Sequence, residues 1–195
     1  PGDYIAYKLS GDMSTTDSGL SEQILWDFRE DAPAGFVREY YGIPASLVPG
    51  HKPSLGIQSL TREAVEKQWN IPKGTPISYR AGDQPNNAFS LNVMEEGEVA
   101  ATAGTSGVVY GITSRSTADP FSRVNQFLHV NHHRDNPHYG VLLCINGTGI
   151  LNAWIRRNLL SGYSYNQMNQ EASGVPAGSE GLLILPFGNG AERML

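Results

Sequence analysis

Cysteine is nearly absent: the 195 residues contain one, Cys144. A lone thiol excludes an intrachain disulfide framework and suits a reducing compartment, so a cytoplasmic location is expected. Its place in the apolar run Val141-Leu142-Leu143-Cys144-Ile145 predicts a buried thiol. No apolar run is long enough to cross a bilayer, so no membrane span is expected. A basic excess is also lacking. The chain has 14 Lys and Arg against 19 Asp and Glu, a net charge of −5, whereas a nucleic-acid surface would be basic. There is no internal repeat and no low-complexity tract. Glycine, in contrast, is abundant, with 22 residues. The length suffices for one core or parts of two. Pro1 opens directly into a helical pattern and Leu195 follows no closing helix, so the chain reads as a piece excised from a longer protein.

Strand and helix patterns alternate, which places the chain in the α/β class. Asp3 suits the cap of a helix over residues 4–10, ended by Gly11. Residues 14–19 read as a polar turn, 20–28 as helix running into extended chain, and 47–53 as a Pro- and Gly-rich connector. Phe36, Val37 and Tyr40 space as one helical face. Thr61 is a good N-cap for a helix carrying Ala64, Val65, Gln68 and Trp69. A strand at 76–79 enters the turn Arg80-Ala81-Gly82-Asp83-Gln84, and a helix leaves it at 88–91. The charged turn Glu95-Glu96-Gly97-Glu98 is the expected boundary between domains at 1–95 and 96–195. Residues 99–103 and 108–112 read as paired strands around Gly104-Thr105-Ser106-Gly107. A short strand at 127–130, a loop at 132–138 and a buried strand at 139–145 follow. Thr148 is placed to cap a helix with Leu151, Ile155 and Leu159 at i, i+4 spacing. Ser164 with Gln167 forms a capping box. Residues 182–185 read as a last buried strand, entering Pro186-Phe187-Gly188-Asn189-Gly190.

An acid at the C-terminal end of a strand projects into the crevice where α/β sheets bind ligands, and Asp83 holds such a position. A positioned carboxylate can take the proton of a sugar hydroxyl during phosphoryl transfer, and Gln84 can both donate to and accept from a polyol. The local alternative is that Asp83 only caps the helix after it, and the tetrapeptide by itself favours that. Gly104-Thr105-Ser106-Gly107 lies between strands and is neither a Walker A loop nor a dinucleotide fingerprint. Its N–H groups could cup an anion, or it could be an ordinary hairpin turn. Asn146-Gly147-Thr148-Gly149 opens a helix, an end that attracts phosphate. Phe187-Gly188-Asn189-Gly190-Ala191-Glu192-Arg193 is a further glycine-rich candidate, with Arg193 as an anion contact. His129, His132, His133 and His138 are close in sequence but lack zinc-site spacing on regular elements. A metal hydrolase built on them is the weakest option. The tryptophans suit core or interface, with Trp26 left open as a sugar platform.

Taken in order, these motifs resemble the FGGY family of carbohydrate kinases, most closely its xylulokinase branch. They are Gly82-Asp83-Gln84, Thr102-Ala103-Gly104-Thr105-Ser106-Gly107-Val108-Val109, Gly147-Thr148-Gly149 with Trp154, and Leu185-Pro186-Phe187-Gly188-Asn189-Gly190-Ala191-Glu192-Arg193. Asp3-Tyr4-Ile5 and Lys8-Leu9-Ser10-Gly11 fit upstream. The resemblance implies a ribonuclease H-like (actin-like ATPase) architecture, with parts of two domains and a cleft between them. It implies ATP-dependent phosphorylation of a ketose, D-xylulose first, with Asp83 as general base and Gln84 as a substrate contact. Gly104, Thr105, Ser106 and Gly149 fall on ATP-binding positions, and Mg²⁺ accompanies the phosphates. No nucleic-acid or membrane partner is implied, and the oligomeric state is left open, a homodimer included. Where members often read Ser-Asp-Ala-Ser/Ala-Gly, this chain reads Ser18-Gly19-Leu20-Ser21-Glu22. The first phosphate motif and the adenosine motif are absent, so the piece alone is expected to be inactive. An actin-like nucleotide-binding module without sugar chemistry is the alternative.

Overall fold

Local signals start and stop many of the elements. The computed structural model describes residues 1–185. Helix α1 (Gly2–Ser10) ends on Gly11, whose φ of 82° lets its N–H close the helix on the Tyr7 carbonyl. Asp3 lies in the first turn and not at the cap, and its carboxylate meets Arg80 instead. The segment expected as a polar turn is regular: β1 (Ser14–Thr16) runs into α2 (Asp17–Glu22). Ser14, Thr15, Thr16 and Ser18 are buried there, and partners distant in sequence reach two of them, Arg80 at Ser14 and Ser54 at Ser18. β2 (Trp26–Asp27), β3 (Ala32–Pro33) and α3 (Gly35–Tyr40) follow.

The expected connector contains β4 (Gly50–Lys52), and an unforeseen strand, β5 (Leu55–Leu60), precedes α4 (Glu63–Trp69). The cap of α4 is Arg62, not Thr61. Thr61 is buried and donates to the Pro72 carbonyl at 2.7 Å while accepting from Thr75 N at 2.9 Å. β6 (Pro76–Tyr79) leads to α5 (Asp83–Ser90), which begins at Asp83 itself, ahead of the expected Ala88. Next come β7 (Val99–Ala103), β8 (Gly107–Thr113), β9 (Asn125–Leu128), β10 (Tyr139–Ile145), α6 (Gly149–Asn158) and α7 (Tyr165–Ser173). The capping box of α7 is formed by Ser164 and Gln167. Residues 182–185 are exposed and join no sheet among the described residues, so the buried strand expected there is not formed. An apolar run does not by itself supply partners for its N–H and C=O groups. The glycine-rich candidate at 187–193, Arg193 included, lies outside the described residues.

β1 pairs parallel with β4, while β2 with β3 and β5 with β6 are antiparallel. A four-stranded sheet has the order β7-β8-β10-β9, its β9–β10 pair antiparallel. The chain divides into two compact units. The first comprises residues 1–100, 110–118 and 125–142. Its core gathers Leu20, Trp26, Leu128 and Tyr139, with Leu25, Phe28 and Val48 against them. Each fully buried aliphatic side chain of this kind contributes roughly 1.5–3 kcal/mol. Trp26 therefore serves the core, whereas Trp69 and Trp154 are about half exposed. The second unit takes residues 101–109, 119–124 and, among the described residues, 143–185. Cys144 is only half-buried. Among the described residues no helix is long and apolar enough to cross a membrane.

Candidate active site

The turn between β6 and α5 is held at three points. Upstream, Arg80 is only 8% exposed, and its guanidinium fork spreads over the buried Gln58 and Ser14 and the part-exposed Asp3. Nε donates to Gln58 Oε1 at 2.8 Å, Nη1 to Asp3 Oδ1 at 2.9 Å and to the Ser14 carbonyl at 2.8 Å, and Nη2 to Ser14 Oγ at 3.0 Å. In the middle, Ser18 Oγ accepts from Gly82 N at 3.2 Å and lies 2.8 Å from Ser54 Oγ. Downstream, the Glu22 carboxylate accepts from Asp83 N at 2.9 Å and from Gln84 N at 3.1 Å.

These bonds bear on the role of Asp83. Gly82 occupies the cap position of α5 and makes no side-chain cap bond. The helix's leading donors go to Glu22, so capping does not account for the acid at Asp83. The Asp83 side chain is exposed and Gln84 is half-buried. Burial raises the Glu22 carboxyl above its usual range. The N–H bonds from Gln84 and Asp83 oppose that rise, and the neighbouring Asp83 carboxylate adds to it.

The second candidate region lies in the other unit. Gly104 N donates to Ser106 O at 3.1 Å, which closes the turn between β7 and β8. The start of α6 then docks on this turn. Gly149 N donates to Gly104 O at 2.9 Å, Ile150 N to Thr105 O at 3.2 Å, and Thr148 Oγ1 to Gly104 O at 3.2 Å. The structure thus brings Gly104, Thr105, Ser106 and Gly149 together. A Cβ on Gly149 would overlap Gly104 O, so this close approach requires glycine. Thr148 holds the N-cap position, but its hydroxyl serves the turn and makes no cap bond, contrary to the sequence expectation. The bonds use the turn's carbonyls and not the N–H groups of Thr105 and Ser106. They also occupy two leading donors of α6, leaving that helix end fewer groups for an anion than its sequence suggests.

The histidines have other partners. His132 Nε2 lies 3.1 Å from Asp31 Oδ1, and His138 Nδ1 lies 3.0 Å from the Asn136 carbonyl. His129 is buried 3.1 Å from Tyr110 Oη. Among the described residues no group of three or more His, Cys, Asp or Glu side chains is arranged to hold a metal. Sequence reasoning missed Arg80, Ser18 and Glu22. A signal for Glu22 was present in the segment Ser18-Gly19-Leu20-Ser21-Glu22, where the family pattern has glycine at the last position.

No family profile matches the chain. Among curated proteins, the xylulose kinase of Bacillus subtilis is 23% identical over 189 residues, which is 96% of this chain and 37% of that protein. A ligand-bound xylulose kinase from Lactobacillus acidophilus matches the structure with a TM-score of 0.84 at 21% identity, over 96% of this chain and 37% of that one. The fold is that of the FGGY carbohydrate kinases. This agrees with the ribonuclease H-like class expected from the motifs. A gluconate kinase from Lactobacillus acidophilus matches equally well, with a TM-score of 0.85 at 21% identity, over 96% of this chain and 37% of that one. The FGGY fold therefore does not by itself separate the sugar acceptors. The chain spans a little over a third of these relatives, 37% in each case.

Proposed function

We propose that the chain is part of an ATP-dependent sugar kinase that transfers the γ-phosphate of ATP to a hydroxyl of a ketose. D-xylulose, giving D-xylulose 5-phosphate, is the favoured acceptor, on the likeness to xylulose kinases along 96% of the chain. Residues 1–95 form the latter part of the family's first domain and 96–195 the opening of its second. The observation that carries the reading is the exposed carboxylate of Asp83 at the start of α5, where Glu22 supplies the acceptors for the helix's leading N–H groups.

Asp83 takes the proton of the sugar hydroxyl as the hydroxyl oxygen bonds to the γ-phosphorus. The bond from that phosphorus to the bridging oxygen breaks, and ADP leaves. Gln84 contacts the sugar. The N–H groups and hydroxyls of Thr105 and Ser106 hold the phosphates of ATP, and Gly104 and Gly149 shape that ATP site by letting the turn and the start of α6 approach closely. Mg²⁺ bound to the ATP phosphates would offset their negative charge. The lone Cys144 suits a cytoplasmic enzyme.

Replacing Asp83 by Asn in the full-length protein tests this. With a panel of ketoses and polyols and Mg·ATP, D-xylulose should be the best acceptor, and Asp83→Asn should lower turnover by about 10²–10⁴. Near-wild-type turnover would overturn Asp83 as the base, whereas no phosphorylation of any acceptor by the unaltered full-length protein would favour a nucleotide-binding module without sugar chemistry. The 195-residue chain alone should not phosphorylate xylulose.

A further inference from the structure

Glu22 ends α2, far in sequence from the turn it holds. Its carboxylate takes both leading N–H groups of α5, at 2.9 Å from Asp83 N and 3.1 Å from Gln84 N. Two further observations show a built contact. Ser18 and Glu22 stand at i and i+4 on one face of α2, so that face offers acceptors to three successive N–H groups, those of Gly82, Asp83 and Gln84. A Cβ on Gly82 would overlap the Glu22 carboxyl, and the chain leaves that space open with glycine.

The donors at a helix start attract the nearest carboxylate. Without Glu22, the first turn's own acid is Asp83, and folding back onto its helix would withdraw it from a substrate. We propose that Glu22 is the positioning residue for Asp83. It fills the donors that Asp83 would otherwise bind, and it fixes the backbone from which Asp83 projects. The proposal rests on the reading of Asp83 as the base.

The test compares Glu22→Ala, Glu22→Gln, Gly82→Ala and Asp83→Asn in the full-length protein, with rates taken per folded molecule. Glu22→Ala should lower kcat about ten-fold or more, equivalent to ~1.4 kcal/mol, with the sugar KM held within about three-fold. Glu22→Gln should recover part of the rate, because its amide oxygen can accept one of the two N–H groups. Gly82→Ala should mimic Glu22→Ala, and combining the two should cost no more than either alone. Wild-type kcat in Glu22→Ala beside an inactive Asp83→Asn would overturn the positioning role and leave the base standing. An active Asp83→Asn would overturn the base itself. A kcat loss that tracks the melting temperature and is not relieved by Gln would mark Glu22 as merely structural. If Glu22→Ala does not fold, Glu22→Gln and Gly82→Ala decide the matter in the same way.

Discussion

Acidification should loosen the first unit through His129. This side chain is 1% exposed. Burial, followed by the charge of His138, pushes its pKa down to about 4, with the Val93 carbonyl acting in the opposite sense. In an unfolded chain the imidazole titrates near 6.5. Between these limits the opened state binds more protons than the closed one. The stability contribution is therefore complete above pH 6.5, declines as pH falls, and is exhausted below about pH 4. At ~1.4 kcal/mol per pH unit the loss totals about 3 kcal/mol, or roughly two orders of magnitude in the opening equilibrium. The Leu128 amide is a suitable reporter, since it donates to Ser21 Oγ at 2.9 Å inside this core. Its hydrogen-exchange protection, corrected for intrinsic rate, should fall by roughly 100-fold from pH 7 to pH 4 in the native protein. In His129→Gln, which keeps an acceptor for Tyr110, most of that decline should vanish. An equal decline in both proteins would refute the argument.

Two further outcomes follow from the contacts. Arg80→Met should strip Gln58 and Ser14 of their buried partners and cost about 2–4 kcal/mol, visible as a lower melting temperature, with sugar phosphorylation falling alongside. Gly149→Ala should force the Gly104–Gly107 turn away from α6 and raise the KM for ATP more than that for the sugar. A larger change in the sugar KM would count against the phosphate assignment.

Signals within a few residues were readable from the chain. Gly11 stops α1, Ser164 and Gln167 cap α7, and Gly104-Thr105-Ser106-Gly107 joins two strands, because each depends on neighbours in sequence. The motif order also pointed to the fold, since it depends only on spacing. What failed was burial that depends on distant partners. Ser14, Thr15, Thr16 and Ser18 looked like a solvated turn, yet Arg80 and Ser54 reach Ser14 and Ser18 in the interior. Leu182 to Leu185 looked like a buried strand and are exposed.

The turn at Asp83 shows the same division. Composition and position alone determined that an acid would stand where a strand yields to a helix. They could not decide whether it caps that helix. Tertiary structure decided it, because the leading N–H groups of α5 donate to a carboxylate that folding delivers from a remote helix, that of Glu22.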